Sequence, residues 1–208
     1  MVRPREFDST AALDLFLQVF WEKGYAATSV DDLCSRSGLS KSSIYSAFGD
    51  KHALLCLSLE RYIETRIGHI RKLFDETRDI HLALSTLGSE IIDSIESGPG
   101  QRGCFIGNCA AEIDHSDCAT VMLIGKGLAE MEAIFENALK RARRRGELSN
   151  DVSIKATARF LVAGFQGLRL MGKVRSERKA LQDIVDVILS TVKKPTNPVR
   201  SNRGKADV

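Results

Sequence analysis

The chain has 208 residues, 43% of them hydrophobic, and a formal net charge of +3. That length supports one or two domains with ample apolar material for a core, and the mild charge identifies no partner, since residues 1–52 hold six Lys/Arg against seven Asp/Glu. There is no run of eighteen apolar residues to span a membrane, no apolar leader in MVRPREFDST, and an odd five cysteines without a CxxC pair; free thiols in a cytoplasmic protein are expected.

Nearly everything reads as helix, and strand-like alternation is absent, so the predicted fold class is all-α. From Ser9 to Tyr25, Leu13, Phe16, Leu17 and Phe20 line one helical face, and Gly24 supplies the stop. The next helix starts at TSVD, with Thr28 as cap and Asp31 reaching back in a capping box. It buries Val30, Leu33 and Cys34 and ends before Gly38. A third helix is capped by Ser40 and turns Ile44 and Phe48 inward. Asp50 then caps a long helix from Lys51 to about Thr77, with Leu55, Leu59, Tyr62 and Ile70 on one side.

Leu84, Leu87, Ile91 and Ile95 mark a helix ending at SGPG, the clearest loop in the chain. RGCFIGNCAAEI predicts a short apolar helix, and DHSD a break and cap. A long helix follows with Ile124, Leu128, Met131, Phe135 and Ala138 at helical spacing. It ends in KRARRR, where cations offset the helix dipole; that solvated end is favoured over a nucleic-acid patch. The stretch 154–174 is apolar nearly all round, and 176–192 has a clean apolar face. The expected division is 1–55, 56–192 and a disordered basic tail, 193–208.

The stretch SVDDLCSRSGLSKSSIYSAFGDKHALL, residues 29–55, carries the functional signal. Two short helices joined at Ser-Gly-Leu form a helix-turn-helix, with Gly38 in the tight turn and Leu39 plugging the angle. The second helix is poor in bulky residues on its outer face, as a helix lying in the major groove needs to be. Ser42 and Ser43 let the backbone approach closely. Lys41 reaches a guanine edge or a phosphate, and Tyr45 and Ser46 offer hydroxyls. Lys51 at the next helix start, and Thr28 or Ser29 at the preceding one, are placed for phosphates. Arg3 and Arg5 form a basic arm suited to backbone or minor-groove contact.

The run GYAATSVDDLCSRSGLSKSSIYSAFGDKHALL, after an amphipathic helix and an RPREFD start, closely resembles the DNA-binding domain of TetR-family transcriptional regulators. Gly24-Tyr25, Thr28, Gly38, Ser40-Lys41, Ile44-Tyr45, Phe48 and Lys51 carry the resemblance. Ser42 stands where Gly is frequent, and Ser46-Ala47 replaces bulkier pairs. The resemblance implies a helical homodimer on double-stranded operator DNA, with a variable C-terminal ligand-binding and dimerisation domain and repression relieved by a small molecule. An effector-independent activator or architectural protein is the alternative.

The apolar surface of 154–174 and 176–192 exceeds what one hairpin buries, so pairing with a second copy in a four-helix bundle is expected. RGCFIGNCAAEI resembles a NemR-like subset with a Gly-Cys-Phe motif, in which a cysteine can act as sensor of electrophiles; that points to Cys104. A first-turn position beside Arg102 favours its thiolate, while the alternative is a small buried hydrophobe. Cys104, Phe105, Met122, Phe135 and Phe165 are the candidate effector residues, with Ile106, Phe160 and Met171 beside them, suggesting a small, largely apolar ligand. No metal site is expected: on one continuous helix Cys104 and Cys118 would stand about 21 Å apart, and His115 with Cys118 is only half a site. Phosphate-loop, HExxH and nucleophile-elbow patterns are missing, so neither catalysis nor a cofactor is expected.

Overall fold

The computed structural model describes residues 7–114 and 116–195. The predicted arm residues Arg3 and Arg5, His115 and nearly all of the predicted tail lie outside the described residues. Within them the chain is all-helical: nine α-helices and one 3-10 turn.

Helices α1 (Ser9–Lys23), α2 (Val30–Ser37) and α3 (Lys41–Phe48) form the N-terminal unit. Asp8 caps α1, accepting from the amides of Thr10 and Ala11. Phe16, Phe20, Leu33 and Ile44 are fully buried between the three helices, and the Phe16 and Phe48 rings meet edge to face at 5.4 Å. Gly38 ends α2 in the left-handed region, φ +69°, a conformation that disfavours any side chain.

The cap of α2 stands one residue later than expected. Thr28 is buried, at 2% exposure, and its hydroxyl donates to the Gly24 carbonyl at 2.6 Å. Ser29 is therefore the cap: its Oγ accepts from the Asp32 amide at 3.2 Å, and Asp32 Oδ2 accepts from the Ser29 amide at 2.9 Å. Asp32, rather than Asp31, completes the capping box.

Helix α4 (Lys51–Glu76) is 26 residues long, so it runs about 39 Å. It packs against α1 and against α7 (Cys118–Arg144). The expected boundary at residue 55 thus falls inside a continuous helix. The body is completed by α5 (Ile80–Glu96), a 3-10 turn at Pro99–Arg102, α6 (Phe105–Glu112), α8 (Ile154–Met171) and α9 (Arg178–Ser190). Helix α7 lies on α8, and α5 lies on α9. The Val185 side chain of α9 seats directly on Gly88 of α5, where a Cβ would stand 2.7 Å from Val185 Cγ1.

The arginines of KRARRR correct the expectation of a solvated helix end. Arg141 donates to the Phe74 carbonyl at 2.8 Å, Arg143 to the Ser149 carbonyl at 3.0 Å, and Arg145 to the Arg78 carbonyl at 2.6 Å. They satisfy carbonyls that the end of α4 and the following turns leave open, clamping this end of the body.

Several helix caps are carboxylates whose charged form the fold holds. The Leu82 amide on Asp79, and the Thr120 amide followed by the His52 side chain on Asp117, keep both below the ordinary carboxylate range. A lowered folded pKa contributes stability that is complete above the unfolded value and lost as pH falls through the folded one. The thermal midpoint is expected to drop from about pH 5 downward, and Asp79→Asn with Asp117→Asn to flatten that drop. An unchanged acid profile in the double variant would exclude these caps as its source.

Candidate nucleic-acid interface

Helix α3 presents one face to the core and the other to solvent. Ile44 and Phe48 are buried, whereas Lys41, Ser42, Ser46 and Tyr45 (47% exposed) point outward. Ser43 is half-buried: its amide donates to Ser40 Oγ at 3.1 Å, and the Ser40 hydroxyl also meets those of Ser42 and Ser43 at 2.9 Å. This serine cluster fixes the first turn of α3 without bulk above it. Ser29 is exposed at the start of α2, so it is the solvent-facing hydroxyl of the Thr28-Ser29 pair.

Ion pairs between helices set the angle of this unit. Lys23 holds Asp32 at 2.5 Å, Arg36 makes a forked contact to Glu22 at 3.0 and 2.9 Å, and Lys41 holds Asp31 at 2.8 Å. Both acids of the first turn of α2, Asp31 and Asp32, are therefore partners of lysines. The hydrogen bond that Lys41 donates to Asp31 raises the pKa of Lys41, keeping its charge fixed. At the other edge, Lys51 Nζ stands 4.4 Å above the centre of the Tyr25 ring, a cation–π contact that steadies the ammonium at the start of α4.

Polar links tie this unit to the body, among them two that involve the turn after α1 and the start of α4. Glu112, the last residue of α6, accepts from the Tyr25 amide at 2.7 Å, in the turn between α1 and α2. His52 Nε2 meets Asp117 Oδ2 at 2.7 Å, joining the first turn of α4 to the cap of α7. Sequence reasoning assigned neither link. Both bridge segments far apart in the chain, a relation that spacing does not carry.

The predicted effector residues separate into two groups. Cys104, Ile106, Phe135 and Phe165 line one small enclosed void in the body, and Phe105 packs on Tyr62 beside it, ring centres 5.7 Å apart. Met122 is 70% exposed on the outer side of α7, so its expected place in an effector pocket is corrected; Phe160 and Met171 also face outward, from α8. Cys104 is the N-cap of α6 and buried, and the Tyr62 hydroxyl donates to its Sγ at 3.6 Å. Arg102, expected beside that thiol, lies 4.6 Å over the Trp21 ring and pairs with Glu22 at 3.4 Å.

A small three-helix unit with a solvent-facing second helix after the turn, mounted on a helical body, defines a helix-turn-helix regulator. Residues 12–56 match the family described as bacterial regulatory proteins, tetR family, and residues 83–188 match the tetracyclin repressor-like C-terminal domain. The chain belongs to the TetR family. It is 30% identical over 193 residues to the HTH-type transcriptional regulator YezE of Bacillus subtilis, across 92% of this chain and 100% of that protein. It is also 30% identical to the HTH-type transcriptional repressor ComR of Escherichia coli, across 90% of each. Among solved structures, a cysteine-substituted TetR family regulator, CifR, complexed with double-strand operator DNA superimposes with a TM-score of 0.81 at 26% identity, over 90% of this chain and 98% of that one. Reduced NemR from Escherichia coli shares the fold, with a TM-score of 0.77 at 17% identity over 89% of this chain and 100% of that one.

Proposed function

We propose that this chain is a ligand-responsive transcriptional repressor, a cytoplasmic regulator rather than an enzyme, which binds a palindromic operator as a homodimer. The exposed, small-residue face of α3 carries this reading. Lys41, Ser42, Tyr45 and Ser46 lie where a helix seated in the major groove needs its contacts, and Ser29 and Lys51 flank them for phosphates. The operator structure of CifR, which superimposes over 90% of this chain, supports it. No described helix is long and apolar enough to cross a membrane. In this reading α1 to α3 with the start of α4 bind DNA, and the rest of the chain to residue 192 binds the ligand and the second copy.

The partner surface is the outer face of α8 and α9. Phe160, Leu170 and Met171 on α8, Val174 in the turn after it and Val187 on α9 are exposed, Val174 by 83%. Stacked against a second copy, they complete a four-helix bundle. Phe160 and Met171 thereby serve the dimer rather than the effector. Two copies present two α3 helices, which match successive major grooves when about 34–36 Å apart. Selection of bound DNA from a random pool tests the whole reading: a two-fold symmetric consensus is expected, and an asymmetric or absent one overturns it.

Release by an effector distinguishes this reading from an effector-independent activator or architectural protein. The enclosed void of the body is the place for a small molecule to act, by population shift between two spacings of α3. Modification of Cys104 is the second route. Its sulfur lines that void and bonds Tyr62, so an adduct there would separate α4 from α6. Operator release by electrophiles should then be lost in Cys104→Ser; an identical response in that variant eliminates the route.

Asp31 offers a further check. Its carboxylate holds Lys41 at 2.8 Å and also faces the incoming phosphates. Asp31→Asn is expected to tighten operator binding several-fold at low salt, with the gain shrinking as salt screens the phosphates. Weaker binding would mean that the pair positions Lys41 instead of competing for it.

A further inference from the structure

Outside the C-terminal end of α7, where Arg143 binds carbonyls and Arg144 is exposed, the arginines inside the helices of the body are paired with carboxylates, with two exceptions. Arg61 pairs with Asp14, Arg71 with Glu130, Arg141 with Asp75 and Arg159 with Glu132. Arg66 on α4 and Arg169 on α8 have no carboxylate within 4.0 Å among the described residues, and both line the same enclosed void. Each is half-buried. The floor of that void is aromatic: Tyr62, Phe135 and Phe165. Gln166 is a third polar group on its wall, and its Oε1 is buried without a hydrogen-bond partner.

Two guanidinium groups without counter-ions on the wall of one aromatic-lined void are a costly arrangement. Half-buried cations repel one another, and an orphaned buried amide oxygen loses its hydration without compensation. A carboxylate answers the first problem, because a guanidinium binds it with two parallel hydrogen bonds. An apolar body attached to that carboxylate fills the space against Phe135 and Phe165. A neutral hydrocarbon would leave both charges unmatched, and a free inorganic anion would leave the aromatic floor uncovered. Where α-substituted acids carry a hydroxyl or amine, Gln166 accepts from it.

We infer that the effector is a small organic acid with an apolar body, its carboxylate clamped between Arg66 and Arg169. The inference rests on the ligand-responsive reading above and gives the ligand its chemistry. The void measures about 20 Å³ in this structure, room for little more than a water, so the acid enters by moving the two long arginine side chains. Arg66 lies about four turns along α4 from Lys51. Displacement of α4 from α8 at this point is carried along that one helix to the DNA-facing end.

The full-length chain is titrated calorimetrically with phenylacetate and octanoate, and separately with phenylacetamide and octanamide, its operator affinity being measured on the same samples. At least one acid is expected to bind about tenfold or more tightly than its amide and to weaken operator binding. Arg66→Gln and Arg169→Gln should each weaken that acid by about tenfold or more while retaining circular dichroism and operator affinity, and Arg66→Lys should recover part of the loss. Equal binding of acid and amide, no acid binding at millimolar concentration, or an unchanged acid affinity in the two Gln variants overturns the inference. A chain that binds its operator yet ignores both acids refutes the acid pocket alone, whereas one that selects no DNA refutes the repressor reading.

Discussion

Replacing Lys41, Tyr45 and Lys51 together by alanine is expected to reduce operator affinity by a hundredfold or more without unfolding the chain. Each contact to a base edge or phosphate contributes about 1–3 kcal/mol, so three of them reach well beyond that factor even if they are partly coupled. None of the three is buried: Tyr45 is 47% exposed, Lys41 is engaged only with exposed Asp31, and Lys51 rests on the Tyr25 ring. Surface pairs of this kind add little to stability, so circular dichroism and the thermal midpoint should stay near those of the parent. Loss of two lysines should also lower the slope of log affinity against log salt by about two. Fluorescence anisotropy on the selected operator at several salt concentrations reads both quantities. An affinity within threefold of the parent would mean that α3 is not the DNA-reading helix.

Phe16→Ala is expected to be the most damaging single change to stability. The ring is fully buried between α1, α3 and α4 and meets Phe48 edge to face at 5.4 Å. Truncating a buried phenylalanine costs about 3–5 kcal/mol through lost burial and the cavity left behind, a large share of the roughly 5–15 kcal/mol of a typical domain. At about 2–4 °C per kcal/mol for a chain of this size, the thermal midpoint should fall by about 6–20 °C. Operator binding should fall with it, because Phe48 seats α3 on that ring. Phe16→Leu should recover most of both. A midpoint within about 2 °C of the parent would show that the N-terminal unit is held by contacts other than this aromatic pair.

Much of this architecture is legible in the residues because local chemistry sets it. Gly24 and Gly38 end their helices as expected, Ser40 and Asp50 cap theirs, and the face Leu181, Val185, Ile188 is buried as its period requires. The slip from Thr28 to Ser29 shows the limit of a capping pattern: two adjacent hydroxyl residues both fit it, and burial of the first decides between them. Met122 stands two positions from buried Ile124, about 200° around the helix, so the wheel already placed it outside. Phe160 and Met171 were harder, since an apolar residue facing a second copy has the same pattern as one facing its own core.

Arginine destinations were the least readable. The KRARRR run reaches carbonyls across the fold, a relation visible only once α4 and α7 are side by side. Arg66 and Arg169 did leave a trace, each sitting within an apolar stripe, between Tyr62 and Ile70 and between Phe165 and Gly172. A cation in such a stripe is an anomaly that periodicity flags and composition hides.

The seat of Glu112 on the first turn constrains how such a protein can be rebuilt. A Cβ at Gly24 would lie 2.5 Å from Glu112 Oε1, so the carboxylate reaches the Tyr25 amide only where the residue before it is bare. Anyone grafting this reading head onto the body of a cousin must carry the pair across together. A chimera inheriting the glycine without the acid would leave the Tyr25 amide without that carboxylate partner.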